Sequence, residues 1–195
     1  MGFWLWILLM DRKVIAYVGV GSNQGEREEY IRRAIEALGA FEPEVKVLRV
    51  SPLYETPPLV EGGVSPEEEH PEDIGWFLNG VIELETVLGP EALLETLQRI
   101  EKRMGRKRPG EERSGSGNAA RLFLSRTIDL DLVFYGDEVI QTEALTVPHP
   151  RAHKRAFVMW PMRDLRAGYV HPVLGKTMGE LCEGTAGAAG NSASG

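Results

Sequence analysis

Arg126-Thr127-Ile128-Asp129-Leu130-Asp131-Leu132-Val133-Phe134 alternates apolar and charged residues over most of its length. Period-two alternation marks a strand, because successive side chains point to opposite faces of a sheet. Ile128, Leu130, Leu132 and Phe134 are expected together on one face, in the core. Asp129 and Asp131 fall on the other face, roughly 7 Å apart by the usual strand rise. Two carboxylates that close repel each other unless cations neutralise them. The bland alternative is a solvated sheet face with two ordinary aspartates.

Working outward, residues 14–20 read as a buried strand that ends in the turn Gly21-Ser22-Asn23. Ile31, Ala34, Ile35 and Leu38 recur at helical spacing, with Gly39 as a stop. Residues 45–50 form a second strand leading into Ser51-Pro52-Leu53-Tyr54-Glu55-Thr56. Residues 57–75, with Pro57-Pro58, Gly62-Gly63 and Glu67-Glu68-Glu69, read as a loop long enough to carry function. A third strand spans 77–87, with Leu78, Ile82 and Leu84 on one face. Gly89-Pro90 opens a second helix whose core stripe is Leu93, Leu94, Leu97, Ile100 and Met104. Residues 106–125 are basic, then rich in Gly and Ser, and read as a mobile loop before the strand at 127–135. Val139-Ile140 adds a short strand, and 148–165 a loop and a short helix. The order strand, helix, strand, strand, helix, strand is that of split β-α-β units. It predicts an α+β fold, a ferredoxin-like α/β sandwich with a mainly antiparallel sheet.

The chain has 195 residues, 43% of them hydrophobic, and a net charge of −7. These values suit one soluble domain and exclude a wholly disordered chain. An acidic total argues against general binding to nucleic acid or anionic membrane. The total conceals an asymmetry. Between Arg99 and Arg126, nine basic and three acidic residues give +6, leaving −13 for the rest. That basic stretch ends beside the carboxylate pair, as a loop closing over a polyphosphate would. The alternatives are a solvated helix face or an RNA-binding edge, although the strands show no matching aromatic motif for stacked bases. One cysteine, Cys182, excludes an internal disulfide or a Cys-rich zinc site and points to the cytoplasm. Residues 1–12 are expected to be a non-essential leader whose apolar run, 3–10, is too short to span a bilayer. Residues 13–183 are expected to form the domain, and 184–195 a disordered tail of small residues.

Paired carboxylates suit Mg2+, which takes one or two of them and completes its shell with substrate phosphates. Two such ions can clamp the attacking and leaving oxygens of a phosphoryl-type transfer. Arg126 beside the pair adds a second kind of cation. Thr146-Val147-Pro148-His149-Pro150-Arg151 is a proline-flanked turn presenting His149, with Arg155 close by. Phe77 and Asn79 share a strand face, an apolar plate beside an amide that suits a flat heterocycle. Gly21-Ser22-Asn23 is not a P-loop, since no Gly-Lys-Ser/Thr follows it.

Gly21-Ser22-Asn23, Tyr54-Glu55-Thr56-Pro57-Pro58, Phe77-Leu78-Asn79, Gln98-Arg99-Ile100-Glu101 with Gly105-Arg106, the Asp129-Leu130-Asp131 strand, Pro148-His149-Pro150-Arg151 and Arg155-Ala156-Phe157-Val158 occur in order. Together, across residues 14–182, they resemble the 6-hydroxymethyl-7,8-dihydropterin pyrophosphokinase family of folate biosynthesis. The resemblance implies transfer of pyrophosphate from ATP to the pterin hydroxymethyl oxygen, with release of AMP. It implies that Asp129 and Asp131 hold two Mg2+ ions and that Arg106 and Arg126 assist transfer. The pterin is implied between Phe77 and Phe157, read by Asn79 and the backbone near Thr56, Pro57 and Leu59. Gln98, Glu101, Arg108, Thr146, His149 and Arg155 match positions that bind ATP or line its pocket. Phe123 matches a loop aromatic that closes over the site.

Two positions depart from the pattern: Ala144 stands where some members carry an arginine, and Pro150 where some carry an aromatic. The loop at 109–122 is also longer than in compact members. The expected protein is a cytoplasmic enzyme, monomer or weak homodimer, with no nucleic-acid or membrane partner. The rival readings are a phosphotransferase acting on another flat heterocycle and a non-catalytic binding module of the same fold.

Overall fold

The computed structural model describes residues 12–57, 75–106 and 126–189. The apolar run 3–10, Leu59, Arg108 and Phe123 lie outside them.

Strand β1 (Val14–Ser22) lies between β4 (Phe77–Thr86) and β5 (Asp129–Tyr135). The sheet order is β2-β4-β1-β5, with β2 (Val45–Val50) at one edge and every pairing antiparallel. A short strand β3 (Tyr54–Thr56) continues that edge along the start of β4. This is the ferredoxin-like order that the sequence predicts.

Helices α1 (Arg27–Gly39) and α2 (Pro90–Arg103) cover one face. Ile31, Ala34 and Leu38 from α1, and Leu93, Leu97 and Ile100 from α2, meet Val18, Val20, Ile82, Leu84, Leu130 and Leu132 from the strands. Full burial of each such side chain contributes about 1.5–3 kcal/mol, so this face holds the sheet and its first two helices together.

The second face is covered only in part. Helices α3 (Ala156–Arg166) and α4 (Met178–Ala189) bring Val158, Met159, Met162, Leu165, Met178 and Cys182 against Tyr17, Val81, Val133 and Phe134. Helix α4 runs past residue 184, so the expected start of the tail falls inside a helix. A small hairpin, β6 (Ile140–Gln141) with β7 (Thr146–Val147), and a 3-10 turn (Ala152–Lys154) lead into α3.

Phe134 is not on the face that strict alternation predicts. Tyr17 pairs with Phe134 but Val18 pairs with Leu132, so Val133 is an extra residue in β5. The resulting β-bulge turns both Val133 and Phe134 to the second face. Asp129 and Asp131, ahead of the bulge, keep the expected phase. β5 also starts at Asp129 rather than Thr127, because the Thr127 carbonyl accepts from Ser22 Oγ (2.7 Å) instead of joining the ladder.

Glu83 on β4 faces the same side and is fully buried, at 0% exposure. A buried charge needs partners. Arg49 of β2 donates to Oε2 (Nε, 2.5 Å) and Arg166 of α3 to Oε1 (Nη2, 2.9 Å). The pairing fastens α3 to the sheet and thereby sets where its N-terminal residues Arg155 and Phe157 stand.

His171 (3% exposed) packs on Phe134, with ring centroids 5.3 Å apart, and its Nδ1 accepts from the Val173 and Leu174 N–H groups. Burial, and next the charge of His153, hold this imidazole below its ordinary value. The unfolded chain therefore takes up the proton first. The stability is fully present above about pH 6.5 and falls as pH is lowered through that value towards the folded pKa. The urea midpoint should drop between pH 7.5 and 5.5, and His171→Gln should flatten that drop; an unchanged slope in the variant would contradict this placement. Phe134→Ala should cost about 3–5 kcal/mol in the same assay, whereas a cost below about 1 kcal/mol would contradict a second core around the bulge.

Candidate active site

The uncovered part of the second face forms a cleft of about 380 Å3, lined by Gly19, Gly21, Asn79, Asp129, Asp131, His149, Arg155 and Phe157 among others. Its floor is bare because Gly21 and Gly19 of β1 pair with Asp129 and Asp131. A Cβ on Gly21 would lie 2.5 Å from Asn79 Oδ1, so only glycine lets the Asn79 amide lie across β1. The buried Asn79 donates from Nδ2 to Thr56 Oγ1 (2.8 Å), which fixes the amide's orientation. Thr56 in turn pairs with Phe77 across the β3–β4 ladder.

Asp129 and Asp131 stand on the cleft face of β5, as the alternation predicts. Burial first, and then the charge of Asp129, push the Asp131 carboxyl above its usual range. Burial disfavours the charged form, and a like charge alongside adds to the effect. Among the described residues no group of three or more His, Cys, Asp or Glu is arranged to hold a metal ion. The donor set is therefore two carboxylates, which fits an ion that takes its remaining ligands from phosphate and water, as Mg2+ does. It does not fit a closed zinc site.

Both arginines expected to assist transfer converge on Asp129. Arg106 Nη1 lies 2.6 Å from Asp129 Oδ1, and Arg126 pairs with Oδ2 of the same carboxylate. Local chemistry brings Arg106 there. Gly105 adopts a left-handed φ of 85° just past α2. The Gly105 N–H then donates to the Lys102 carbonyl and the Arg106 N–H to the Glu101 carbonyl, closing a Schellman turn. Glu101, only 1% exposed, pairs with Arg106, and its Oε1 accepts from the Leu130 N–H (2.7 Å). Glu101 thus braces the end of α2 against β5 between the two aspartates.

On the other wall, the His149 N–H donates to the Val133 carbonyl (3.0 Å), and His149 Nδ1 accepts from the Arg151 N–H (3.3 Å). In the neutral ring the proton then sits on Nε2. Burial is the main cause that holds His149 below its ordinary pKa, against an opposing pull from Asp131. The Arg155 guanidinium lies 5.6 Å from the centre of the Phe157 ring, within cation–π range.

Six of the expected site residues line the cleft: Asn79, Asp129, Asp131, His149, Arg155 and Phe157. Thr56 reaches it through Asn79, and Arg106, Arg126 and Glu101 through the Asp129 pairing. Phe77 is half-buried at the start of β4, and Pro57 is exposed at the last residue before position 58. Gln98, half-buried on α2, and Thr146, exposed on β7, are not among the lining residues. Ser22, Asn23 and Gly105 also take part in holding the site, beyond the turn that the sequence predicts for Ser22 and Asn23. The signal was available in Gly-Ser-Asn placed directly after a strand and in a glycine placed directly after a helix. Their use depends on strand register, which the sequence does not display. Among the described residues, no helix is long and apolar enough to cross a membrane.

The profile of the 7,8-dihydro-6-hydroxymethylpterin-pyrophosphokinase (HPPK) family matches residues 17–167. The 2-amino-4-hydroxy-6-hydroxymethyldihydropteridine pyrophosphokinase of Bacillus subtilis is 40% identical over 151 residues, covering 77% of each chain. The protein of the same name from Aquifex aeolicus is 36% identical over 165 residues, covering 85% of this chain and 88% of that one. The folic acid synthesis protein of Pneumocystis carinii is 37% identical over 167 residues, and the chain spans only 20% of its length. Among solved structures, HPPK-DHPS of Plasmodium falciparum superposes with a TM-score of 0.61 at 17% identity, covering 91% of this chain and 47% of that one. That likeness concerns the fold. The extent of the profile match and the identity to relatives of similar length carry the assignment: the chain belongs to the 7,8-dihydro-6-hydroxymethylpterin-pyrophosphokinase family.

Proposed function

We propose that this chain transfers the pyrophosphoryl group of ATP to the hydroxymethyl oxygen of 6-hydroxymethyl-7,8-dihydropterin, releasing AMP. The observation that carries the reading is the convergence of Asp129, Asp131, Arg106 and Arg126 at a cleft whose other wall holds Asn79 and Phe157.

The pterin's flat ring stacks between Phe157 and Phe77, and the Thr56-oriented amide of Asn79 reads its polar edge, helped by Pro57 and Leu59. ATP binding is assigned to Gln98, Glu101, Arg108, Thr146, His149 and Arg155. Mg2+, as two ions held by Asp129 and Asp131, would supply charge neutralisation on the phosphates and acidify the hydroxymethyl group. In the transfer, the hydroxymethyl oxygen bonds to the β-phosphorus. The bond from that phosphorus to the oxygen bridging to the α-phosphorus breaks, AMP leaves with the electron pair, and the hydroxyl proton is lost to solvent. Arg106 and Arg126 leave Asp129 for the phosphate oxygens as charge accumulates there. The catalytic unit runs from residue 13 into α4 and is cytoplasmic, acting as a monomer or weak homodimer on small molecules.

A mixture of the protein, ATP, Mg2+ and the pterin should yield AMP in step with pterin consumption; ADP, or turnover indifferent to the pterin, would overturn the reading. Asp129→Ala and Asp131→Ala should each lower kcat by at least about 100- to 1,000-fold while leaving the circular-dichroism spectrum intact. Near-normal rates in both would remove the metal assignment. Chelation with EDTA should stop turnover, and excess Mg2+ should restore it. Deleting residues 1–9 should leave kcat unchanged, and a large loss would give the leader a role in the domain.

A further inference from the structure

The β1–β5 ladder ends at Gly21 opposite Asp129, yet the pairing continues by other means. The Arg126 N–H donates to Asn23 Oδ1 (2.7 Å), and the Asn23 N–H donates to the Arg126 carbonyl (3.1 Å). Ser22 Oγ donates to the next carbonyl, that of Thr127 (2.7 Å). Asn23 therefore satisfies both backbone polar groups of Arg126, its side chain standing in for the missing rung. It is 7% exposed, so water does not substitute easily for these bonds.

We propose that Asn23 is a positioning residue for the transfer step, holding the Arg126 backbone so that its guanidinium meets Asp129 and then the phosphate. The inference rests on the transfer reading above. Arg126 precedes β5, which begins at Asp129. The clasp ties its backbone to the end of β1, three residues ahead of that strand. A misplacement of about 1 Å costs up to about 100-fold in rate. The residue type fits the task. The acceptor must reach the Arg126 N–H from a turn position, which Asn and Asp side chains do and Ala cannot.

A second contact lets the clasp be disturbed from a distance. A Cβ on Gly75 would lie 2.8 Å from the Asn23 carbonyl oxygen. That atom is backbone, so relief requires Asn23 or residue 75 to move. Gly75→Ala is thus expected to reproduce part of the Asn23 defect without touching Arg126.

The test is steady-state kinetics on Asn23→Ala, Asn23→Asp, Gly75→Ala, Arg126→Ala and the Asn23→Ala/Arg126→Ala double variant. Asn23→Ala should lower kcat about 10- to 100-fold while KM for ATP and for the pterin changes less than about threefold. Asn23→Asp should recover most of kcat, because a carboxylate oxygen still accepts. In the Arg126→Ala background, Asn23→Ala should cost no more than about twofold further, since its effect runs through Arg126. Full multiplicative losses in the double variant, or a raised KM with kcat retained, would overturn the proposal. Should Asn23→Ala fail to fold, Gly75→Ala with normal kcat overturns it equally. A wild-type protein that makes no pterin-dependent AMP overturns the transfer reading and this inference together; normal wild-type turnover with an unimpaired Asn23→Ala overturns this inference alone.

Discussion

Two carboxylates on one face of one strand, at a partly buried site, must be given positive charge. Much of the second sheet face follows from that constraint. Burial first, and then the charge of Asp129, raise the pKa of Asp131. Asp129 receives a guanidinium from each side, one carried by the end of α2 and the other by the run into β5. Each arginine has its own fixture: the Schellman turn and Glu101 for Arg106, the Asn23 clasp for Arg126. β1 carries glycine opposite each aspartate, so nothing but backbone lies between the charges and the Asn79 amide. An anion with its own divalent cations resolves the same imbalance in another way, and it frees both arginines to act on the anion.

The two faces of the sheet divide the work. The α1 and α2 face is mainly an apolar core. The other face is held by fewer apolar residues and by a buried carboxylate, Glu83, shared between Arg49 and Arg166. Such an arrangement adds less stability than apolar packing, but it is directional. It sets the angle of α3 and with it the positions of Arg155 and Phe157. The larger apolar core thus lies on the first face, and most of the site residues on the second, which has a smaller core of its own.

How much of this was legible varies with the range of the interaction. Local patterns read correctly: Leu93, Leu97 and Ile100 on one helix stripe, and Asp129 and Asp131 opposite Leu130. Phe134 was misassigned to the first face because a bulge at Val133 carries no glycine or proline to announce it. Glu83 is buried by partners distant in sequence, Arg49 and Arg166, which its own stretch of sequence does not announce. Asn23 reads as a turn residue because its role depends on which residue of β5 stands opposite. Alternation and helical spacing report the faces of an element, whereas clasps, braces and coverage by a later helix are set by register between elements.

The central claim is that the β-phosphorus of ATP is the one attacked, with Asp129 at the centre of the charge arrangement. The most direct measurement follows ATP radiolabelled at its β-phosphorus in the presence of Mg2+ and 6-hydroxymethyl-7,8-dihydropterin. The account predicts that the label leaves the nucleotide entirely, appearing in the pterin diphosphate while unlabelled AMP accumulates, and that Asp129→Ala suppresses both together. Label retained in ADP, or label moving at an undiminished rate in Asp129→Ala, would contradict it.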